Sequence, residues 1–147
     1  MLIGNSLEED NQMSDHNRKI IEEFRANNGK VGGYFANQPL LLLHTTGAKS
    51  GKERVNPAAA FKDDGKLFII ASKGGAPTNP AWYYNLIANP VVDVEYGTET
   101  FQARATVTAE PERTKLYEKA AAKNAGFAGY EEKTTRVIPV ITLSRLS

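Results

Sequence analysis

The chain has 147 residues, 41% of them hydrophobic and 24% charged, which fits one ordinary globular domain and excludes a disordered or fibrous chain. Eighteen Lys and Arg stand against 17 Asp and Glu, so the concentrated basic surplus of a nucleic-acid binder is missing. Cysteine is absent and histidine occurs only as His16 and His44, which removes disulfides, thiolate metal sites, cysteine nucleophiles and a histidine-rich metal centre.

Residues 1–13 read as a polar, disordered leader with neither the basic start nor the apolar run of a secretory signal. Ser14 or Asp15 caps a helix that carries Ile20, Ile21 and Phe24 on one face and stops near Asn28-Gly29. Gly29 to Gly33 is a joint, after which Tyr34 and Phe35 are placed to cover the core or a ligand. Leu40 to Thr46 is a strand, and its apolar run is too short to span a bilayer. Glu53 to Lys62 is the next strand, with Pro57 confining part of it to an edge or a bulge. Asp63-Asp64-Gly65 turns the chain into a strand over Lys66 to Ser72. Asn79-Pro80 then caps and opens a short helix through Ala88.

Pro90 to Tyr96 and Glu99 to Val107 form a strand pair around Gly97-Thr98. Pro111 opens a helix to Lys123 with Leu116, Tyr117 and Ala120 at helical spacing, and Val137 to Leu143 is the last strand. A parallel array would need a helix after each strand, and here hairpin turns take that place. The expectation is an α+β, mainly β fold over residues 14–147: one antiparallel barrel of about six strands with flanking helices, without repeats or linkers.

Four segments suggest chemistry. The loop Thr45 to Arg54 gathers Lys49, Lys52 and Arg54 around Gly47 and Gly51, which fits an anion cradle as well as a solvated hairpin. It is not a Walker loop, because its glycines are one residue too close and a strand follows. Ala71-Ser-Lys-Gly-Gly-Ala-Pro77 leaves a buried-looking strand with a second lysine and two glycines, a loop that would converge with the first at one barrel end. Asn79-Pro-Ala-Trp-Tyr-Tyr-Asn85 puts Trp82 and two tyrosines on the first turns of a helix, with Trp82 packing on the barrel and Tyr83 or Tyr84 facing elsewhere. Asn124-Ala-Gly-Phe-Ala-Gly-Tyr130 fits a flap over a pocket and equally a loosely packed surface helix. His44, inside an apolar strand, reads as a satisfied core histidine rather than a base. No nucleophile–base pair and no carboxylate dyad is present.

Leu43-His-Thr-Thr-Gly-Ala-Lys-Ser-Gly-Lys-Glu-Arg-Val-Asn-Pro57, Ala71-Ser-Lys-Gly-Gly75, Asn79 to Pro90 and Arg136-Val-Ile-Pro139 together resemble the deazaflavin (F420)-dependent nitroreductase family of actinobacteria. The resemblance runs from about Leu40 to Leu143. It implies a split β-barrel related to the FMN-binding barrels, and coenzyme F420, an 8-hydroxy-5-deazaflavin with a phosphate and an oligoglutamate tail. Carried onto this chain, it implies that Ala48, Lys49 and Ser50 hold the phosphate and tail, with Arg54 as a guanidinium clamp. Val55, Asn56, Pro57, Ala58 and Ala59, with Ile70, Ala71, Ser72 and Lys73, would line the ring. Ala81, Trp82, Tyr83, Tyr84 and Asn85 would close the other side. Ser72, Phe127 and Tyr130 correspond to positions beside the substrate and are the catalytic candidates, with no metal involved.

Relatives that reduce nitro drugs have tyrosines where this chain has Asn124 and Phe127, whereas Tyr130 matches. The expected activity is hydride transfer from reduced F420 to an organic acceptor, a quinone before a nitroaromatic. An FMN-binding oxidoreductase and a non-catalytic deazaflavin carrier remain the alternatives. The expected location is the cytoplasm, with peripheral contact at the inner membrane face left open.

Overall fold

The computed structural model describes residues 16–33 and 37–146. The expected leader, the Ser14 or Asp15 cap and the pair Tyr34 and Phe35 lie outside the described residues. Helix α1 covers residues 16–26. Strands β1 (Leu40–Thr46), β2 (Glu53–Ala59), β3 (Phe61–Asp63) and β4 (Lys66–Ile70) follow, then helix α2 (Ala81–Ala88). Strands β5 (Val91–Tyr96) and β6 (Glu99–Val107), helices α3 (Glu112–Lys123) and α4 (Ala125–Lys133) and strand β7 (Val140–Arg145) complete the order. Among the described residues no helix is long and apolar enough to cross a membrane.

The strands make one sheet in the order β2-β1-β5-β6-β7-β4-β3, antiparallel throughout. Seven strands stand where about six were expected, because the single strand expected over Glu53 to Lys62 breaks at Ala60. Before the break β2 pairs with β1, and after it β3 pairs with β4. These two strands are the opposite ends of the sheet yet consecutive in the chain, so the corner at Ala60 curls the sheet into the expected split barrel. The Ala60 N–H donates to the Pro39 carbonyl, and the Gln38 amide donates to the Ala60 carbonyl, which holds the corner. As expected, Pro57 lies in a terminal strand, whose only ladder neighbour is β1.

Strand β1 is buried on both faces, which is why its sequence is a run of leucines instead of an alternation. Leu41 and Leu43 point into the barrel with Ile69, Val94, Ile141 and, from α2, Leu86. Leu40 and Leu42 pack under α1 against Phe24, Ile20 and Ile21. A third cluster joins the outer faces of β4 and β7, through Phe68, Ile70 and Val140, to Leu116 and Tyr117 of α3 and Phe127 of α4. Each such buried side chain contributes roughly 1.5–3 kcal/mol, so α1, α3 and α4 are held by packing and not by propensity.

Several expected boundaries shift. Strand β4 ends at Ile70, and β7 starts at Val140 because Val137 is exposed on the connection before it. Helix α2 begins at Ala81 with Pro80 as its N-cap, and Asn79 caps nothing, its side-chain oxygen accepting from Arg136 instead.

Candidate active site

A cleft of about 730 Å³ opens between the β2–β4 edge, the loop after β4, and α4. One wall is small and apolar: Pro57, Ala58, Ala59 and Ile70, with Trp82 at the start of α2. The facing wall is α4, which contributes Gly126, Phe127 and Tyr130. Ser72 and Lys73 lie at the junction between the two. Nine of the sequence-predicted residues therefore meet in this cleft.

The loop after β4 owes its path to its glycines. Ser72 is right-handed (φ −78°), while Lys73, Gly74 and Gly75 are all left-handed, with φ of 48°, 65° and 85°. A right-handed residue followed by a left-handed one turns successive N–H groups toward one point, an arrangement that suits an anion. Lys73 is exposed and adds a cation beside it. A side chain at Gly75 would sit 3.0 Å from Lys133 Cβ and 3.1 Å from the Tyr130 carbonyl, so the loop lies directly on the last turns of α4. Arg136 then ties it down: its Nε donates to the Ala76 carbonyl, Nη1 to Asn79 Oδ1, and Nη2 to the carbonyls of Ala71 and Ser72. The Ala71 side chain packs in the barrel core, and this residue is not among those that line the cleft.

The segment expected as a flap or a surface helix is helix α4, which lines the cleft and buries only Phe127. Asn124 caps it, its Oδ1 accepting from the Gly126 N–H at 3.1 Å, while its Nδ2 donates to Gln38 Oε1 across the cleft rim at 2.7 Å. Phe127 is wedged edge-on against Phe61, Tyr117 and Tyr130 and is only 6% exposed. Tyr117 donates to the Phe127 carbonyl, and burial pushes the Tyr117 phenol up to about 12. Tyr130 is half-buried, with Lys133 Nζ 5.8 Å from its ring centre.

The first basic loop lies one helical turn away along α2. Trp82 lines the cleft, and Asn85, three residues on, accepts from the Ala48 N–H at 2.9 Å and donates to Thr45 Oγ1 at 3.1 Å. Asn85 thus fastens the hairpin to the helix. Ala48, Lys49 and Ser50 are exposed at the hairpin tip, closed by Gly47 and Lys52 backbone bonds. Arg54 stands opposite Thr45 and Asn56 opposite Leu43, whereas Val55 packs beneath α1 with Leu40 and Leu42. Ala81 is exposed, Tyr83 packs on the barrel core, and Tyr84 is exposed with its ring 5.3 Å from that of Tyr83.

His44 is satisfied as expected, but it is half-buried and its partners are carboxylates. It lies on the α1 side of β1, with Nδ1 2.8 Å from Glu53 and Nε2 2.6 Å from Glu95. Reasoning from sequence also left out Gln38 and Arg136 as site residues. Arg136 carried a signal, since it stands in the Arg-Val-Ile-Pro segment of the resemblance; Gln38 carried none. A second cleft of about 760 Å³ at the β3–β4 and β5–β6 turns contains none of the predicted residues. Two of its cations are committed to ion pairs, Lys66 with Glu112 and Arg145 with Glu99.

Residues 16–145 match the family described as F420H(2)-dependent quinone reductase. An F420H(2)-dependent quinone reductase of Mycobacterium tuberculosis is 37% identical over 126 residues, which is 83% of this chain and 85% of that protein. A solved F420-H2 dependent reductase is 38% identical with a TM-score of 0.67, covering 77% of this chain and 100% of its own. A second solved relative, a domain-swapped dimer, is 35% identical with a TM-score of 0.68 and covers 89% and 98% of the two chains. The heme storage protein HutZ of Vibrio cholerae, at 17% identity and a TM-score of 0.57, shares the fold alone.

Proposed function

The chain belongs to the F420H(2)-dependent quinone reductase family, and from that premise we propose that the cleft between the Ser72–Lys73 loop and α4 is where reduced F420 is oxidised by a quinone. The observation that carries the reading is the pairing of a flat, small-residue wall with cations beside it. A planar tricyclic ring needs a slot without bulky side chains, and Pro57, Ala58, Ala59 and Ile70 leave one, backed by Trp82. An anionic phosphate and tail need polar partners beyond the slot: Lys73, Lys49 and Arg54 supply cations and Ser50 a hydroxyl. Val55 and Asn56 precede that wall on β2 and do not line the cleft, the Val55 side chain being packed under α1. Ala81, Tyr83, Tyr84 and Asn85 shape the α2 side, and Asn85 acts by holding Ala48 in place.

The reduced deazaflavin, when bound, supplies a hydride. The protein supplies orientation and a site that limits water. A quinone accepting that hydride also needs a proton to become the hydroquinone. Ser72 at the junction of the walls and Tyr130 on α4 bear hydroxyls and are our candidates to hold and deliver it. Phe127 presents a ring edge without a hydroxyl, so a quinone is favoured over a nitroaromatic, whose reduction requires more directed proton delivery. We place the reaction in the cytoplasm. Contact with a membrane would use exposed apolar side chains such as Tyr84 and Ile87.

Trp82 is the only tryptophan, so its fluorescence reports on the cleft. Titration with F420 should quench it, and adding a quinone to the protein with reduced F420 should regenerate the oxidised cofactor. Binding of FMN with indifference to F420 would overturn the reading. Tight F420 binding with no quinone-dependent oxidation would make the protein a carrier.

A further inference from the structure

We infer that Arg136 is the positioning residue of the cofactor loop, holding Ser72 and Lys73 in their working conformation without itself being the anion's clamp; the cofactor part of this inference rests on the function proposed above. A lone arginine beside a glycine-rich loop invites assignment as a phosphate ligand. Its bonding argues otherwise. A guanidinium has five N–H donors. Four are taken by acceptors of the protein itself: the carbonyls of Ala71, Ser72 and Ala76, and Asn79 Oδ1, at 2.6–3.2 Å.

Those acceptors bracket a stretch that cannot hold its own shape. Lys73, Gly74 and Gly75 are left-handed in succession, and Lys73 is there without glycine's freedom. Within the turn only Gly75 N–H to Ser72 carbonyl and Ala76 N–H to Lys73 carbonyl close the chain. Arg136 fixes the two carbonyls before Lys73 and two acceptors after it, and Asn79 leads directly into the Pro80 cap of α2. The guanidinium fork therefore sets where the Ser72 hydroxyl, the Lys73 ammonium and the start of α2 stand relative to α4, on whose last turns Gly75 rests.

Only a planar fork serves acceptors on three sides at once. A lysine keeps the charge and loses the geometry. In Arg136→Lys, a direct ionic contact would be largely retained, whereas a positioning role would be lost. The test has two arms. On the cofactor-free protein, trypsin cleavage after Lys73 should accelerate about tenfold or more in Arg136→Lys, since local opening governs cleavage at an ordered loop. Cleavage at other sites should stay at the parental rate. In the assay with reduced F420, KM for the cofactor should rise by about tenfold, the loss of roughly one charge-assisted hydrogen bond. KM for the quinone should stay unchanged, a split that a smaller folded fraction would not produce. Asn79→Ala, which removes one acceptor and leaves the arginine in place, should move both readouts in the same direction by less, and it decides the matter if Arg136→Lys does not fold. Parental cleavage in both variants overturns the inference. So does a raised cofactor KM without faster cleavage, since that is the mark of a direct contact. A parent protein that binds no F420 overturns the function proposed above, while the cleavage arm still decides whether Arg136 holds the loop.

Discussion

His44 and Glu95 join helix α1 to the barrel: His44 Nε2 lies 2.6 Å from Glu95 Oε2, and the same oxygen accepts from Arg25 Nη2 of α1 at 2.6 Å. His44 Nδ1 faces Glu53 as well, so both ring nitrogens meet carboxylates, an arrangement that favours the doubly protonated ring. Burial works against the imidazolium, but the hydrogen bonds to Glu53 and Glu95 outweigh it and raise the pKa above 6.5. The hydrogen bond from Arg25 holds Glu95 below 4.5 against the opposing effect of burial. The raised histidine contributes stability that is complete below its unfolded value and is lost as pH rises through its folded one. The depressed glutamate contributes above its unfolded value and fails as pH falls through its folded one.

Melting temperature should therefore hold through the mildly acidic range and fall as pH rises above about 6.5. His44→Gln should flatten that fall. Thermal melts of both proteins from about pH 5 to about pH 9 check this, and parallel curves would refute it.

Lys73 offers the plainest test of the cofactor side. It is exposed, and its closest side-chain partner is Thr78 Oγ1 at 3.4 Å, so removing its ammonium leaves no buried acceptor stranded. Lys73→Ala should keep the parental melting temperature and weaken F420 binding by roughly ten- to a hundredfold. Binding by the parent should also weaken with added salt, and the variant should show a smaller salt slope. Equal affinities in a fluorescence titration would remove Lys73 from the site.

The features read correctly from sequence are local ones. Leu40 to Thr46, Glu99 to Val107 and the Gly97-Thr98 turn are set by their own residues, and their bounds stand as expected. The break at Ala60 was hidden because alanine carries no turn signal, and it is imposed by pairing with β1 on one side and β4 on the other. Asn79 reads as a helix cap by type, but a guanidinium far along the chain outcompetes the helix for its oxygen. His44 looks apolar by its neighbours along the strand, although its partners come from β2, β5 and, through Glu95, α1. Contacts that join distant segments leave no periodicity to read. The cleft residues on β2 and in the loop after β4 were legible through the family resemblance, whereas the roles of Gln38 and Arg136 emerge only once the chain is folded.

The end of α1 is fixed by a close backbone approach. Gly29 is left-handed (φ +87°), its N–H donates to the Phe24 carbonyl, and a Cβ there would sit 2.7 Å from Gly97 Cα and 2.7 Å from the Gly97 carbonyl oxygen. An alanine would meet backbone instead of a movable side chain. Gly29→Ala should cost about 2–3 kcal/mol, combining left-handed strain with overpacking against the β5–β6 turn. Gly51→Ala, also left-handed (φ +70°) but with open space around it, should cost less. Denaturant melts giving the two variants equal losses would show that the approach to Gly97 contributes nothing.

Phe127 and Tyr130 lie on the same face of α4 with ring centres 5.1 Å apart, yet the structure gives them different duties. Phe127 is 6% exposed and interlocks with Phe61 and Tyr117, so its first role is to anchor the helix that forms one wall of the cleft. Phe127→Ala should cost about 3–5 kcal/mol in stability. Tyr130 is half-buried beside the cleft, and its hydroxyl is the only phenol that α4 contributes. Tyr130→Phe should leave stability and F420 affinity close to parental while lowering quinone turnover at least about tenfold, within the range of a lost proton donor. With no hydroxyl at Phe127, turnover of bicyclic nitroimidazoles should be poor in the parent protein. Phe127→Tyr should improve it only to the extent that the packed aromatic cluster admits the added oxygen. Parental quinone rates in Tyr130→Phe, or rapid nitroimidazole reduction by the unmodified protein, would show that protons reach the acceptor by another route.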